Sequence, residues 1–306
     1  MEVNMVGHIV VVGSLNMDLV VKTPRHPQVG ETILGSEFRT YPGGKGANQA
    51  VAAAKLGSLV KMVGRVGNDP FADELLEAIS IEKLDSTYVI RDPNEPTGVA
   101  FIAVDRDGQN SIIVAPGANA SVSPEDVQAA ESAFIGAAVL LIQLECPLPA
   151  VLRAIDLAKK HQLQVVLNPA PGQELGFDIL SKVDYLLPNQ SELALISGEQ
   201  ELSRAIDNMR ELGFGAMAVT MGGEGVLVVD ATSEIQIPAL DVKVVDTTAA
   251  GDAFAGAFAV ALTEGYGLFD AARWGIIGGA IAVTRAGAQP SLASRAEFNR
   301  LLHDSE

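Results

Sequence analysis

Short runs of β-branched and aliphatic residues recur along the chain, at residues 8–13, 61–66, 139–144, 164–168, 184–187 and 216–220. Between them, apolar positions spaced by three and four mark helices at 46–56, 149–161, 191–197 and 202–212. Strands that are apolar throughout, rather than at alternate positions, belong to a parallel sheet covered by helices on both faces. The pattern predicts an α/β body with a doubly wound, mainly parallel sheet.

Two segments break this rhythm, 18–40 and 97–116. In the second, residues 99–104 and 111–115 flank Asp105-Arg106-Asp107-Gly108, turn chemistry that suits a hairpin. Both segments leave and re-enter the α/β pattern close to glycine-rich motifs. They predict a small β lid over a site at the carboxyl edge of the main sheet. The expected division is a core of 1–17, 41–96 and 117–306 and a lid of 18–40 and 97–116.

Composition narrows the function. Of 306 residues, 48% are hydrophobic and 19% charged, which excludes a disordered chain. The net charge of -17 repels nucleic-acid phosphates and anionic membranes alike, so no nucleic acid and no membrane partner is expected and a small molecule is favoured. A phosphate site in so acidic a chain must be built locally, from amides, helix ends, metal ions or a few cations. Cys146 is the only cysteine, which rules out an intrachain disulfide and a cysteine zinc cluster. Residues 1–12 lack the pattern of a secretion signal, and no run of 18 apolar residues occurs. A cytoplasmic location is expected.

The strongest chemical signal is Asp246-Thr247-Thr248-Ala249-Ala250-Gly251-Asp252, which follows the strand-like 242–245 and opens a helix running toward Leu262. Small residues admit a ligand to the backbone, and the free amides of a helix start carry roughly half a positive charge. Asp252, in the first turn, would lie beside a bound phosphoryl group as a proton acceptor or cation ligand. An acid there also simply complements the helix dipole, and the motif alone does not decide between the two.

Tyr41-Pro42-Gly43-Gly44-Lys45-Gly46-Ala47-Asn48 leads into a second small-residue helix, with Lys45 and Asn48 as donors; its spacing is not that of a P-loop. By itself it reads as a glycine turn capping a helix. In Gly13-Ser14-Leu15-Asn16-Met17-Asp18, Asn16 and Asp18 are two apart and can face the same side of an extended segment, as suits vicinal hydroxyls, or form an ordinary turn. Thr220, Gly222, Gly223 and Gly225 form a glycine-rich connection between strands. Asn189 and Glu192, three apart at a helix entrance, equally make a plain cap. Cys146 reads as a packed small hydrophobe, Trp274 as core or pocket wall, and the four histidines show no ligand spacing.

Taken together, Gly43-Gly44-Lys45-Gly46-Ala47-Asn48 and Asp246-Thr247-Thr248-Ala249-Ala250-Gly251-Asp252, in this order and separation, resemble the signatures of the ribokinase-like carbohydrate kinase family, over nearly the whole chain. The resemblance implies ATP-dependent phosphorylation of D-ribose at its 5-hydroxyl, with Asp252 as base and Ala249, Ala250 and Gly251 as an anion hole. It implies that the sugar is held by Asn16, Asp18, Gly44, Lys45, Asn48, Glu145 and Asp252, and ATP by Asn189, Thr220, Gly222, Gly223, Gly225, Gly251 and Asp252. It further implies Mg²⁺ arriving with ATP near Asn189 and Glu192. An activating K⁺ maps to Asp246, Thr248, Ala282, Arg285, Gly287 and Ser291, and the family's lid commonly makes a homodimer contact.

Two positions depart from the pattern. Ala249 stands where many relatives have glycine, so this loop must use ordinary backbone angles. Ile276 is apolar where relatives often place a polar residue against adenine. The rival readings are a kinase of deoxyribose, fructose or adenosine and a non-catalytic sugar-binding regulator. A dinucleotide-dependent dehydrogenase is disfavoured, because the first strand lacks the three-glycine fingerprint.

Overall fold

The computed structural model describes residues 7–304. Half of the segment 1–12 read for a secretion signal, and the first six residues of the expected core segment 1–17, thus lie outside the described residues. In chain order the strands are β1 (Ile9–Val12), β2 (Asn16–Lys22), β3 (Glu37–Gly43), β4 (Val60–Val66), β5 (Asp85–Arg91), β6 (Gly98–Val104) and β7 (Asn110–Ala115). They continue as β8 (Val139–Ile142), β9 (Gln164–Leu167), β10 (Tyr185–Leu186), β11 (Met217–Thr220), β12 (Val226–Val229) and β13 (Glu234–Ile237).

Nine of them form one sheet in the order β13-β12-β11-β10-β9-β8-β1-β4-β5. All pairs from β5 to β11 are parallel; β12 and β13 add an antiparallel edge. The apolar runs are explained by burial on two sides. Ile9 and Val11 join Leu141 and Val166 beneath the helices Lys45–Lys55, Ala250–Thr263 and Leu268–Ala282, whereas Val10 and Val12 join Leu140, Ile142 and Ile155 on the opposite face. Each such side chain contributes about 1.5–3 kcal/mol by leaving water.

The sheet reverses direction at β1, which lies between β4 and β8. From β1 the chain builds β4 and β5 on one side and then returns to start β8 on the other. Crevices form at such switch points, outside the carboxyl ends of the strands. Gly13 and Ser14 leave β1 there, Glu145 follows β8, Asn168 follows β9, Asn189 follows β10, and Thr220 ends β11.

The remaining strands make a separate four-stranded sheet, β3-β2-β6-β7, in which β2 pairs antiparallel with β3 and parallel with β6. The Asp105 carboxylate accepts from the amides of Asp107 and Gln109 and closes the β6–β7 hairpin. The strands run past the bounds of 18–40, because Asn16 pairs with both Gly43 and Gly98 and carries the ladder to the edge of the core. Much of this sheet's apolar surface is open: Phe38, Phe101, Ile112, Ile113 and Val114 are all exposed.

One expected strand is absent. Residues 242–245 form no ladder, and the amide of Val245 donates instead to the carbonyl of Val283 at 2.7 Å. The Val-rich pattern mimics a strand, but the segment has passed the β13 edge and meets the end of a helix rather than a strand partner. No helix among the described residues is long and apolar enough to cross a membrane.

Candidate active site

The sugar-side candidates converge where β1 hands over to β2. Gly44 has φ 90° and caps the Lys45–Lys55 helix; a Cβ there would lie 2.6 Å from the amide nitrogen of Asn16. Only glycine allows both the angle and the approach. The helix then begins with Lys45, a cation at the end where the dipole disfavours it, with no acid in its first turn. Its compensation is external: Asp252, Glu145, Glu192 and Asp18 all act on its ammonium.

Glu145 ties three segments together. One carboxylate oxygen accepts from Ser14 Oγ at 2.5 Å, from the amide of Lys45 at 3.1 Å and from Asn16 Nδ2 at 3.5 Å. Asn16 in turn accepts at Oδ1 from Asn119 Nδ2 (2.8 Å), and Asn119 clamps the backbone of Leu15 on both its amide and carbonyl. Asp18, two residues on, is buried among like charges.

Asp252 stands in the first turn of the Ala250–Thr263 helix and is 6% exposed. Its Oδ2 accepts from Asn48 Nδ2 (2.9 Å) and its Oδ1 from Gln49 Nε2 (3.0 Å). Small residues make this reach possible. A Cβ on Gly256 would fall 2.6 Å from Ala52, so the two helices touch almost backbone to backbone. The carboxylate therefore belongs to the wall shared with the Gly43 loop. The amides of Gly251 and Asp252 have no protein acceptor among the described residues, whereas that of Ala250 donates to the carbonyl of Thr247 at 3.2 Å. Ala249 adopts φ -107°, so its methyl group is accommodated with an ordinary backbone.

Burial sets the electrostatics. Loss of water, together with the charges of Glu145 and Asp252, pushes Asp18 up to about 7. Burial likewise raises Asp252, opposed by Lys45 and by the amides of Gln49 and Asn48. For Lys45 burial pulls downward, but the carboxylates around it together win and its pKa ends above the usual lysine value. Glu192 is raised, again chiefly by burial, with Lys45 acting against it.

Beyond Gly251 lies a cleft of about 550 Å³. Thr220, Gly223 and Gly225 line one wall, and Val242, Ile276 and Val283 another. Gly225 has φ 96°, and a Cβ there would strike the carbonyl of Ile237. Asn189 forms an isolated parallel bridge to Thr220, which brings these two nucleotide candidates together. Asn189 and Glu192 also form a reciprocal helix cap, each side chain accepting the other's amide at 2.8 Å. Among the cation candidates, Asp246 joins Thr248 and Gly287, accepting from the amide of each at 2.9 Å, whereas Ala282 is bonded to the Arg285 amide and Ser291 to Ala288. The Arg285 guanidinium turns away to Glu297, leaving only its backbone for that role. Among the described residues no three His, Cys, Asp or Glu side chains cluster as a metal site.

The profile of the pfkB family carbohydrate kinase matches residues 6–295. The chain belongs to this kinase family. A ribokinase of Haemophilus influenzae is 39% identical over 292 residues, covering 94% of this chain and 95% of that protein. A deoxyribokinase of Salmonella typhi is 38% identical over 304 residues, covering 97% and 99%. The structure of Arabidopsis thaliana ribokinase complexed with ribose and ATP is similar with a TM-score of 0.88 at 34% identity, over 97% of this chain and 99% of that one.

As a pfkB kinase the chain also contains a polar layer that its motifs do not announce. Ser14, Gln49, Asn119, Gln143 and Asn168 are all buried behind the candidate residues and bonded to them or to one another. Two adjacent amides, Asn48 and Gln49, in a helix that between Lys45 and Lys55 is otherwise Ala, Val and Gly were the available signal for part of it. Trp274 is core: it packs on Phe298 and Tyr266 at 4.9 and 5.3 Å between ring centroids, with Arg295 over its face. Cys146 is buried and its thiol is pushed up to about 12, as fits an inert packed residue.

Proposed function

We propose that this pfkB kinase transfers the γ-phosphoryl group of ATP to the 5-hydroxyl of D-ribose, giving D-ribose 5-phosphate and ADP. One observation carries the reading: the buried Asp252 carboxylate is bonded to Asn48 on the sugar side, while Gly251, with its open amide at the same helix end, lines the nucleotide cleft. Asn16, Asp18, Gly44, Lys45, Asn48 and Glu145 hold the sugar. Asn189, Thr220, Gly222, Gly223, Gly225 and Gly251 receive ATP. Asp252 takes the 5-hydroxyl proton as that oxygen bonds to the γ-phosphorus and the bond to the β–γ bridging oxygen breaks. Amides at Ala249, Gly251 and Asp252 stabilise the transferring group, with Lys45 as the nearby cation.

The donor set suits Mg²⁺ carried in by the nucleotide, since Mg²⁺ typically keeps its waters and takes one or two carboxylates plus phosphates. Glu192 would hold it beside Asn189, one of its oxygens being committed to the Asn189 amide. When bound, the ion neutralises phosphate charge. The K⁺ site we assign to Asp246, Thr248, Ala282, Arg285, Gly287 and Ser291; the hydrogen bonds of Asp246 to the amides of Thr248 and Gly287 support it for those three residues.

Ribose is favoured over 2-deoxyribose by buried polarity. Asn48 Oδ1 is buried with no hydrogen-bond partner among the described residues, and a site built for hydroxyls strongly disfavours an analogue that lacks one. An ADP-release assay with ribose, 2-deoxyribose, fructose and adenosine, each in potassium and in sodium, tests the assignment. Ribose in potassium is expected to be fastest; faster turnover of 2-deoxyribose, or indifference to the ion, would reject the corresponding part. The open apolar surface of the β3-β2-β6-β7 sheet supports a homodimer formed through the lids. Light scattering should give twice the chain mass, reduced to one by Ile113→Asp. ATP dependence and the lone buried thiol support a cytoplasmic location.

A further inference from the structure

Gln49 is fully buried in the Lys45–Lys55 helix and has not been given a part in substrate binding. We propose that it is a positioning residue, fixing how Asp252 presents its carboxylate through a chain of amides anchored on the carbonyl of Leu187. The inference rests on the reading of Asp252 as the base.

The direction of every amide in the chain follows from its far end. A main-chain carbonyl can only accept, so Asn168 must offer Nδ2 to Leu187 O, at 2.8 Å. That leaves Asn168 Oδ1 facing back, and it accepts from Gln49 Nε2 at 3.0 Å. Gln49 is thereby oriented, and the second N–H of the same nitrogen points at Asp252 Oδ1, also 3.0 Å away. Its Oε1 accepts from Gln143 Nε2 at 2.5 Å; Gln143 Oε1 has no partner among the described residues, so Gln143 takes its direction from Gln49. Turning the Gln49 amide over would set oxygen against oxygen at both Asn168 and Asp252.

The carboxylate consequently meets an N–H on each oxygen, Asn48 on one and Gln49 on the other. Its plane is fixed before any sugar arrives, and the two donors, with Lys45, favour the ionised form against burial and the Glu145 charge, which together raise Asp252. An apolar residue here would leave Asn168 Oδ1, Gln143 Nε2 and Asp252 Oδ1 each short of a partner, so the amide holds this network together and, through it, the carboxylate.

Single-turnover phosphoryl transfer at saturating sugar and ATP, followed against pH, tests this. Gln49→Leu should slow the step roughly 10- to 100-fold, leave sugar affinity within about threefold, and move the acidic limb of the profile to higher pH, because a donor that favours ionised Asp252 is lost. A merely structural role would lower the melting temperature but leave the rate per folded molecule and the limb unchanged, and that result overturns the inference. Should Gln49→Leu fail to fold, Gln49→Glu has the same length and places a carboxylate where the donor stood; a limb at the wild-type pH in that variant overturns it equally. Asp252→Asn, run alongside, separates the two readings. Full activity there sinks the base itself, whereas an inactive Asp252→Asn beside an unshifted Gln49 variant sinks only the role of Gln49.

Discussion

The two sides of the Asp252 carboxylate are built by opposite means. On the side proposed for the sugar, Asn16, Asp18 and Asn48 are buried and Lys45 and Glu145 half-buried, and hydrogen bonds join Glu145 to Ser14, Asn16 and the Lys45 amide and Asn48 to Asp252. The nucleotide side is lined by glycine backbone and by aliphatic side chains such as Val242, Ile276 and Val283, and its cleft is open. Buried, paired polar groups enforce geometry and punish a missing partner, whereas an apolar slot reads little beyond shape. Selectivity should therefore be concentrated in the sugar, and substitutions should hurt unequally on the two sides.

The largest effect is expected at the seam. Asp252→Asn should lower turnover by about 10²- to 10⁴-fold with sugar and ATP affinity retained, as steady-state kinetics and calorimetry would show; lost affinity for either substrate would instead mark the residue as a binder. Next, Asp18→Asn should raise the sugar KM roughly 10- to 100-fold, the value of a charge-assisted hydrogen bond, and leave the ATP KM unchanged. If both constants move together, the two sides are not independent.

A pH titration sharpens the same point. Asp18 is held up to about 7, so it is protonated below that pH and loses the carboxylate proposed to accept sugar hydroxyls. Sugar affinity should weaken about tenfold from pH 8 to pH 6, and the dependence should flatten in Asp18→Asn. The smallest effect belongs to the nucleotide wall. Ile276→Ala removes partly exposed apolar surface and should raise the ATP KM by only about two- to fivefold, without changing the sugar KM.

Much of the frame was legible in the chain because strands buried on both faces leave an unmistakable run, as in Ile9-Val10-Val11-Val12. The Gly43 and Asp246 motifs were legible because close approach and helix ends demand particular residues locally. Gln143 and Asn168 were not, since a polar residue just past an apolar run reads as the start of a loop, and Gln49 showed only as a second amide beside Asn48 inside a helix. Their partners lie about 90 to 200 positions away. Residues 242–245 erred in the other direction: β-branched residues describe what a segment tolerates, and whether an edge is there to receive it is decided by the rest of the fold.

Only Gly13, Ser14 and Leu15 separate β1 from β2, so the side chains assigned to the acceptor sit on the first strand of the covering sheet itself. On the reading proposed above, recognition and enclosure would be one mechanical element: an acceptor that leaves Asn16 or Asp18 unsatisfied would also fail to anchor the sheet that carries them, and water could then compete for the phosphoryl group.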